Sequence, residues 1–516
     1  MCSSMGIQHS DEAVLFRNGH IWSDEESRFR RGELLLRSGS IEDMAFPNLP
    51  QDRCGNVSQE YDLNGGYLCP AFIDGHMHLF QWSISRSGLD LSDCRSEGDI
   101  IRKVRSVIDG KFGNEVYSRT GMIFGTDFDD SNFSGGPILD GSFMKKEFEG
   151  IPLILRRVCG HKAVLNPEAL SALGIPEEEC VNGIIREGSA MELPWRLPFD
   201  AALLAKLLKE AIDVLHSYGV VGGVDIVPVS QLDRMYESYS GTDRTFHLSV
   251  SIIRDAPGRF RSGNLPEKWD QTEPGMDLER ERTDIRFEKF FLDGSIGART
   301  ASFQIDYRDS PSYPTLHTDR EISKMAENSY SEGLVPMVHC IGDMAISQGV
   351  RLFEKTGLPY RLEHVEAING THLRKMKGGK GALCMQPNFH HRWGRAGGLY
   401  EQSLGKFSRY LNDFTSVIGS GIPWCFGTDM MPPDPLVGFM GGMGHEDIRR
   451  RLTLSDMILG FSKYSAMLSM LGPRYTCRMK AGSSPDLVVL DRKLTHVRAT
   501  FLSDGTYHVW TGGEAV

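Results

Sequence analysis

The sequence predicts an α/β fold: a (β/α)8 TIM barrel, with a small composite β-sandwich from both termini and an insertion after strand 1. Three observations predict it. Eight short apolar stretches recur through the middle of the chain, mostly separated by helical patterns. Strands alternating with helices build parallel βα units, and eight of them close a barrel. Both chain ends read instead as short antiparallel strands. The stretch from Asp90 to Phe199 is too long for a loop and carries strand and helix patterns of its own.

The first segment, "EAVLFRNGHIWSDEESRFRRGELLLRSGSIEDMA", alternates apolar and polar residues between Gly, Asn and Ser breaks, as hairpins do. The far end, "PDLVVLDRKLTHVRATFLSDGTYHVWTGG", does the same. Together they predict a composite β-sandwich from residues 1–69 and 475–516. The barrel is expected over 70–89 and 200–474, with an inserted subdomain over its mouth at 90–199. Its strand candidates are "YLCPAFIDGHMH", "GVVGGVDIVP", "FHLSVSIIRD", "RFEKFFLDGS", "LVPMVHCIGD", "YRLEHVEAI", "ALCMQPNFH" and "WCFGTDMMPP".

A chain of 516 residues allows two or three domains when one is a barrel. A net charge of −11 argues against nucleic acid or an anionic membrane as partner, because phosphates repel an acidic surface. The ten cysteines form no CxxC pair, which disfavours a thiolate zinc site and suits a reducing compartment. The N-terminus lacks the apolar core of a signal peptide, and no apolar run is long enough to span a bilayer. A cytoplasmic protein with a small-molecule substrate is expected, and a homodimer is compatible with the sequence.

Chemistry-bearing residues gather at the strand ends. In "CPAFIDGHMHLF", His76 and His78 lie two apart. On a strand they share a face about 7 Å apart and can converge on one cation. A polar pair at a strand end would look the same, so the rest of the chain must decide. Lys289 lies in the fourth strand with Asp293 beyond it; His339 ends the fifth; His364 follows Glu363 in the sixth; Asp429 ends the eighth. In a barrel these ends face one mouth. Zinc and similar ions take imidazole nitrogens and carboxylate oxygens, and a water on such an ion loses its proton near neutral pH. It can then attack a carbonyl carbon while a nearby carboxylate carries the proton to the leaving nitrogen. Asp429 suits that task. A protonated lysine beside a dication is disfavoured by like charge, whereas neutral Lys289 can add carbon dioxide and become an anionic carbamate ligand. The competing reading pairs Lys289 with Asp293 or Glu288.

With these residues the sequence resembles the metal-dependent amidohydrolase superfamily, in its YtcJ-like branch, which includes N-substituted formamide deformylases. The stretches "PAFIDGHMH", "KFFLDGSIGARTASF", "HCIGDMAI", "RLEHVEAI", "FGTDMMPPDP" and "SPDLVVLD" carry the resemblance, in the family's order. It implies metal ligands at His76, His78, His339 and His364, a carbamylated lysine at Lys289, and Asp429 as ligand and proton shuttle. It implies one or two divalent ions, zinc foremost. His161, Arg299 and Gln386 are candidates for substrate contact, and Asn166 either faces substrate or fixes a loop. Met430 and Met431 stand where the family usually has Trp-Pro, and Met344 where a basic residue is usual, so the substrate stays open.

The leading expectation is hydrolysis of a non-peptide amide-type C–N bond, such as an N-formyl, N-acyl or cyclic amide. The same site could instead serve a decarboxylation or isomerisation. A non-catalytic binding protein is a third reading, disfavoured because a binder needs no proton shuttle.

Overall fold

The computed structural model describes residues 13–509 apart from 55–56, 112, 131–132, 134–139, 142–143, 145–146, 159, 161, 187–188, 191, 243–244, 256–284, 472–474 and 476. The chain divides into two compact units, residues 1–78 with 212–230 and 244–516, and residues 79–211 with 231–243.

The first unit contains the barrel. Its strands are β1 (Phe72–Met77), β2 (Val220–Pro228), β3 (His247–Ile253), β4 (Ile285–Phe291), β5 (Val335–Cys340), β6 (Tyr360–His364), β7 (Gly381–Met385) and β8 (Trp424–Phe426). They pair in chain order, every neighbour parallel. The two edges meet just past β8. The Asp429 N–H donates to the His76 carbonyl (2.8 Å). The buried Asp74 carboxylate accepts from the Thr428 N–H (2.9 Å), the Thr428 hydroxyl and the His76 N–H (3.1 Å). Gly427 permits this approach: a Cβ there would lie 2.5 Å from the His76 nitrogen.

Alternation along the strands fills the barrel. Val224 and Ile226, Val335 and Met337, and Ala382 and Cys384 lie in one buried cluster with Phe287. Two residues further on, the inward positions become Lys289, His339 and Gln386. The period of two thus turns an apolar core into a polar layer at the C-terminal ends of the strands.

Both chain ends contribute to one eight-stranded sheet in the same unit. Ala13–Ser23 pairs antiparallel with Arg28–Arg37 and parallel with Tyr67–Pro70. Tyr67–Pro70 pairs antiparallel with Leu487–Leu490, just before the chain enters β1. Asp486, from "SPDLVVLD", anchors this sheet to the barrel. Its carboxylate lies 2.6 Å from His247 Nε2 on β3 and accepts from the Ser503 N–H (2.6 Å).

The second unit holds a mixed five-stranded sheet. Leu89–Asp90, Ile123–Phe128 and Leu153–Arg157 are parallel, and Lys162–Leu165 and Ile184–Arg186 add antiparallel strands. Helix Glu97–Ile108, capped by Ser96, buries Ile100, Val104 and Val107 at helical spacing in a core shared with Ile123, Phe128 and Leu155. Asn166 fixes a loop here. Its oxygen accepts from the Leu153 and Ala169 N–H groups, and its amide donates to the Ile151 carbonyl (2.7 Å). Among the described residues, no helix is long and apolar enough to cross a membrane.

Candidate metal centre

The six residues singled out at the strand ends all lie in the first unit. His76 is buried at the end of β1, with His78 just beyond it. Their Nε2 atoms lie 3.6 and 3.2 Å from Asp429 Oδ1. The His76 ring is 4.7 Å from that of His364, which is 4.5 Å from that of His339. Lys289 Nζ lies 3.2 Å from His76 Nε2.

Three of the imidazoles are oriented from behind. His76 Nδ1 lies 2.5 Å from Glu363 Oε2, so it carries the proton and Nε2 keeps the lone pair. His364 Nδ1 lies 2.9 Å from Gln386 Oε1, with the same consequence. His339 is reversed: its Nε2 lies 3.2 Å from the Gly294 carbonyl, leaving the lone pair on Nδ1. Burial, then Lys289, holds His76 well below the usual histidine range; burial, then His339, does the same for His364. Neutral imidazoles are the form a cation binds.

Glu363 is itself held by Arg361. Nε of Arg361 donates to Glu363 Oε1 (2.6 Å), and its other nitrogens donate to the Gly75 and Leu468 carbonyls, each at 2.8 Å. Consecutive strand residues should face opposite ways, yet Glu363 and His364 both reach His76. His364 has a left-handed φ of 68°, which breaks the pleat where β6 ends. Such strain persists where surrounding contacts enforce it, and it clusters at functional sites. Replacing Glu363 with Gln should leave Arg361 buried without its anion, at a cost of about 3–5 kcal/mol. It should also loosen His76 and weaken metal affinity about 10–100-fold, as loss of an orienting partner does. Urea unfolding and chelator competition measure the two effects. Unchanged affinity would reduce the Arg361–Glu363 pair to packing.

Lys289 has neither carboxylate that might have claimed it. Glu288 is taken by Arg254 (2.8 and 2.9 Å) and by the Ser329 hydroxyl (2.6 Å). Asp293 accepts backbone N–H groups of Ser302 (2.9 Å), Ile341 (3.0 Å) and Gly342 (2.8 Å). It thereby ties "DGSIGARTASF" to "HCIGDMAI". Gly342 is required there, since a Cβ would fall 1.9 Å from the Ser302 oxygen. Burial pushes Lys289 down to about 8, with Glu363 and Asp429 opposing the shift.

Asp429 sits in a tight turn. The Met431 N–H donates to the Thr428 carbonyl (3.2 Å), and both central residues are left-handed, Asp429 at φ 53° and Met430 at φ 58°. Neither is glycine, and a left-handed residue costs about 1–2 kcal/mol.

Two of the three candidates for substrate contact have protein partners. Gln386 holds His364. The Arg299 guanidinium is bidentate to Asp309 (2.9 and 3.1 Å) and donates to the Ser403 hydroxyl (2.7 Å). His161 lies outside the described residues. Arg361 and the orienting role of Glu363 were missed from sequence. The signal was there, since Arg-x-Glu at i, i+2 on a buried strand puts both charges on one face.

The donors fit a divalent cation. His76, His78 and Asp429 offer two imidazole nitrogens and a carboxylate oxygen, all within 4.8 Å of one another, the donor types that zinc-like ions take. A second group, His390, His445 and Glu446, fits less well. Its imidazoles stack in parallel, 4.0 Å apart at 4°, so no cation lies in both ring planes.

The model of the Amidohydrolase family matches residues 59–516. The chain belongs to this family. The amidohydrolase is 23% identical to YtcJ of Bacillus subtilis (strain 168), an amidohydrolase by name, over 461 residues covering 83% of each chain. Its fold is that of an uncharacterized metal-dependent hydrolase from Pyrococcus horikoshii OT3, with TM-score 0.71, 21% identity, and coverage of 94% of this chain and 98% of that one. A similar structure from Pyrococcus furiosus has TM-score 0.70 and 21% identity, covering 93% and 99%. Family and donor set together make this amidohydrolase a metal-dependent hydrolase.

Proposed function

We propose that this amidohydrolase cleaves a non-peptide amide-type C–N bond, an N-formyl, N-acyl or cyclic amide, with Asp429 moving the proton. The observation that carries the reading is the Asp429 carboxylate at the rim of the donor ring, 3.2 Å from His78 Nε2. A divalent cation, zinc in our reading, supplies when bound a Lewis acid for the amide carbonyl and acidifies water toward neutral pH. His76, His78, His339 and His364 would hold it, the first, third and fourth through lone pairs that their hydrogen-bond partners aim. Asp429 accepts the proton of the attacking water and delivers it to the leaving nitrogen, so that amide and water become acid and amine. Phe291, 5.5 Å from the His339 ring, and Phe389, parallel to His364 at 6.0 Å, favour an apolar substituent near the scissile bond.

Turnover of a panel of N-formyl amines, N-acyl amines, cyclic amides and dipeptides tests the bond class. Cleavage of an amide with no cleavage of dipeptides is expected; dipeptides turned over faster than every amide would overturn the reading.

Lys289 is proposed to carry a carbamate, which would offer an anionic oxygen ligand to the cation or cations. Carbamylation consumes the neutral amine, and with Lys289 lowered to about 8 the neutral fraction grows as pH rises from 7 through 8. At fixed dissolved carbon dioxide, CO2-depleted protein should therefore regain activity faster at pH 8 than at pH 7. Full activity in CO2-free buffer would rule the carbamate out.

A further inference from the structure

The residues that follow β7 (Gly381–Met385) hold two groups that support residues of the site. Gln386 orients His364. Two residues on, the Asn388 amide donates to the Thr428 carbonyl (2.8 Å) and to the Met431 carbonyl (2.9 Å). These are the two ends of the turn that presents Asp429. Both partners only accept, so the NH2 group must face them and the amide orientation is settled by chemistry. The other end of the side chain is left wanting. Asn388 is 0% exposed, and among the described residues its Oδ1 has no hydrogen-bond partner. For packing alone, a leucine of similar shape would serve without a buried, unmatched acceptor. The segment is also held from behind: a Cβ on Gly441 would fall 1.9 Å from the Pro387 oxygen, so helix Pro435–Met443 presses directly on it.

The turn needs such a clamp. Its central residues, Asp429 and Met430, both have positive φ, the signature of a type I′ turn, whose usual occupants are Gly, Asn and Asp. Met430 is poorly suited to that conformation. Asp74 secures the turn at Thr428, and Asn388 spans both ends.

We infer that Asn388 is a positioning residue for Asp429, clamping the left-handed turn so that the carboxylate stays beside His76 and His78. The inference rests on the proposed proton role of Asp429. Asn388 acts through the backbone of the turn and not on substrate.

The test is Asn388→Leu in the metal-loaded full chain, with zinc content, thermal midpoint, KM and kcat measured together and Asp429→Asn alongside. We expect zinc content to be kept and the midpoint to stay level or rise. kcat should fall about 10²-fold, the scale of a misplaced catalytic group, with KM little changed. Adding Met430→Gly should recover part of that loss relative to Met430→Gly alone, because glycine adopts the turn without a clamp. A lowered midpoint with kcat per bound zinc within twofold of the parent would overturn the inference and leave Asn388 a packing residue. Should the leucine variant not fold, Asn388→Asp, of equal size but with oxygen facing the two carbonyls, decides by the same readouts. If Asp429→Asn keeps its kcat, the proton role fails and this inference with it. If Asp429→Asn is impaired while the Asn388 variants are not, this inference alone fails.

Discussion

Asp429→Asn is expected to lower kcat by about 10²–10⁴ while metal content is largely kept, the size of effect that follows loss of a general base. Asparagine preserves the shape of the side chain and suits the left-handed φ of 53° at this position at least as well as aspartate does. The turn and its N–H bond to the His76 carbonyl should therefore survive, and the change isolates the ability to accept a proton. The Oδ1 atom facing His78 and His76 is where that ability matters. If Asp429 served only as a ligand, metal content and activity would fall together. Normal kcat at full metal content would remove the proton role. Metal analysis and steady-state kinetics on the same preparation separate the three outcomes.

The His76→Ala, His78→Ala double variant is expected to lose activity and the ion that these two imidazoles would hold. His76 sits at the centre of the constellation. It touches Glu363, faces Lys289 and Asp429, and its ring adjoins those of His78 and His364. Removing both imidazoles leaves Asp429 without the two nitrogens nearest its carboxylate, and too few donors remain on that side for a tetrahedral ion. The barrel should still form, because its closure uses the carbonyl and N–H of residue 76 and the Asp74 carboxylate rather than the imidazole. Circular dichroism like that of the parent, with metal content sharply reduced, is the expected pair of results. Full metal occupancy in this variant would mean that the ion binds elsewhere.

What could be read from the sequence was what local pattern encodes. The βα alternation and the period of two along each strand placed His76, Lys289, His339 and Asp429 at strand ends without any knowledge of tertiary contacts. That both chain ends build one β structure was legible for the same reason, as alternation between turn residues; the expected sandwich is one eight-stranded sheet in the strand pairing. What was not legible depends on which distant group a side chain meets. Gln386 looked like a substrate contact because nothing local reveals that His364 lies 2.9 Å away. Arg299 was another candidate for substrate contact, and its guanidinium meets Asp309 and Ser403. Glu363 and His364 cannot both face one centre under strict alternation, and the left-handed φ that allows it leaves no trace in residue type. The same holds for Met430, whose φ of 58° is set by the contacts around its turn and not by its own preference.

The imidazoles and Asp429 should together form a binding site for a divalent cation that the reaction requires. The most direct measurement is calorimetric titration of chelator-stripped protein with zinc, run beside the His76→Ala, His78→Ala variant, with amide turnover followed through the titration. One or two equivalents bound by the parent, activity rising with occupancy, and reduced binding by the variant are expected. Equal binding by both proteins, or full turnover by the stripped parent, would contradict this assignment.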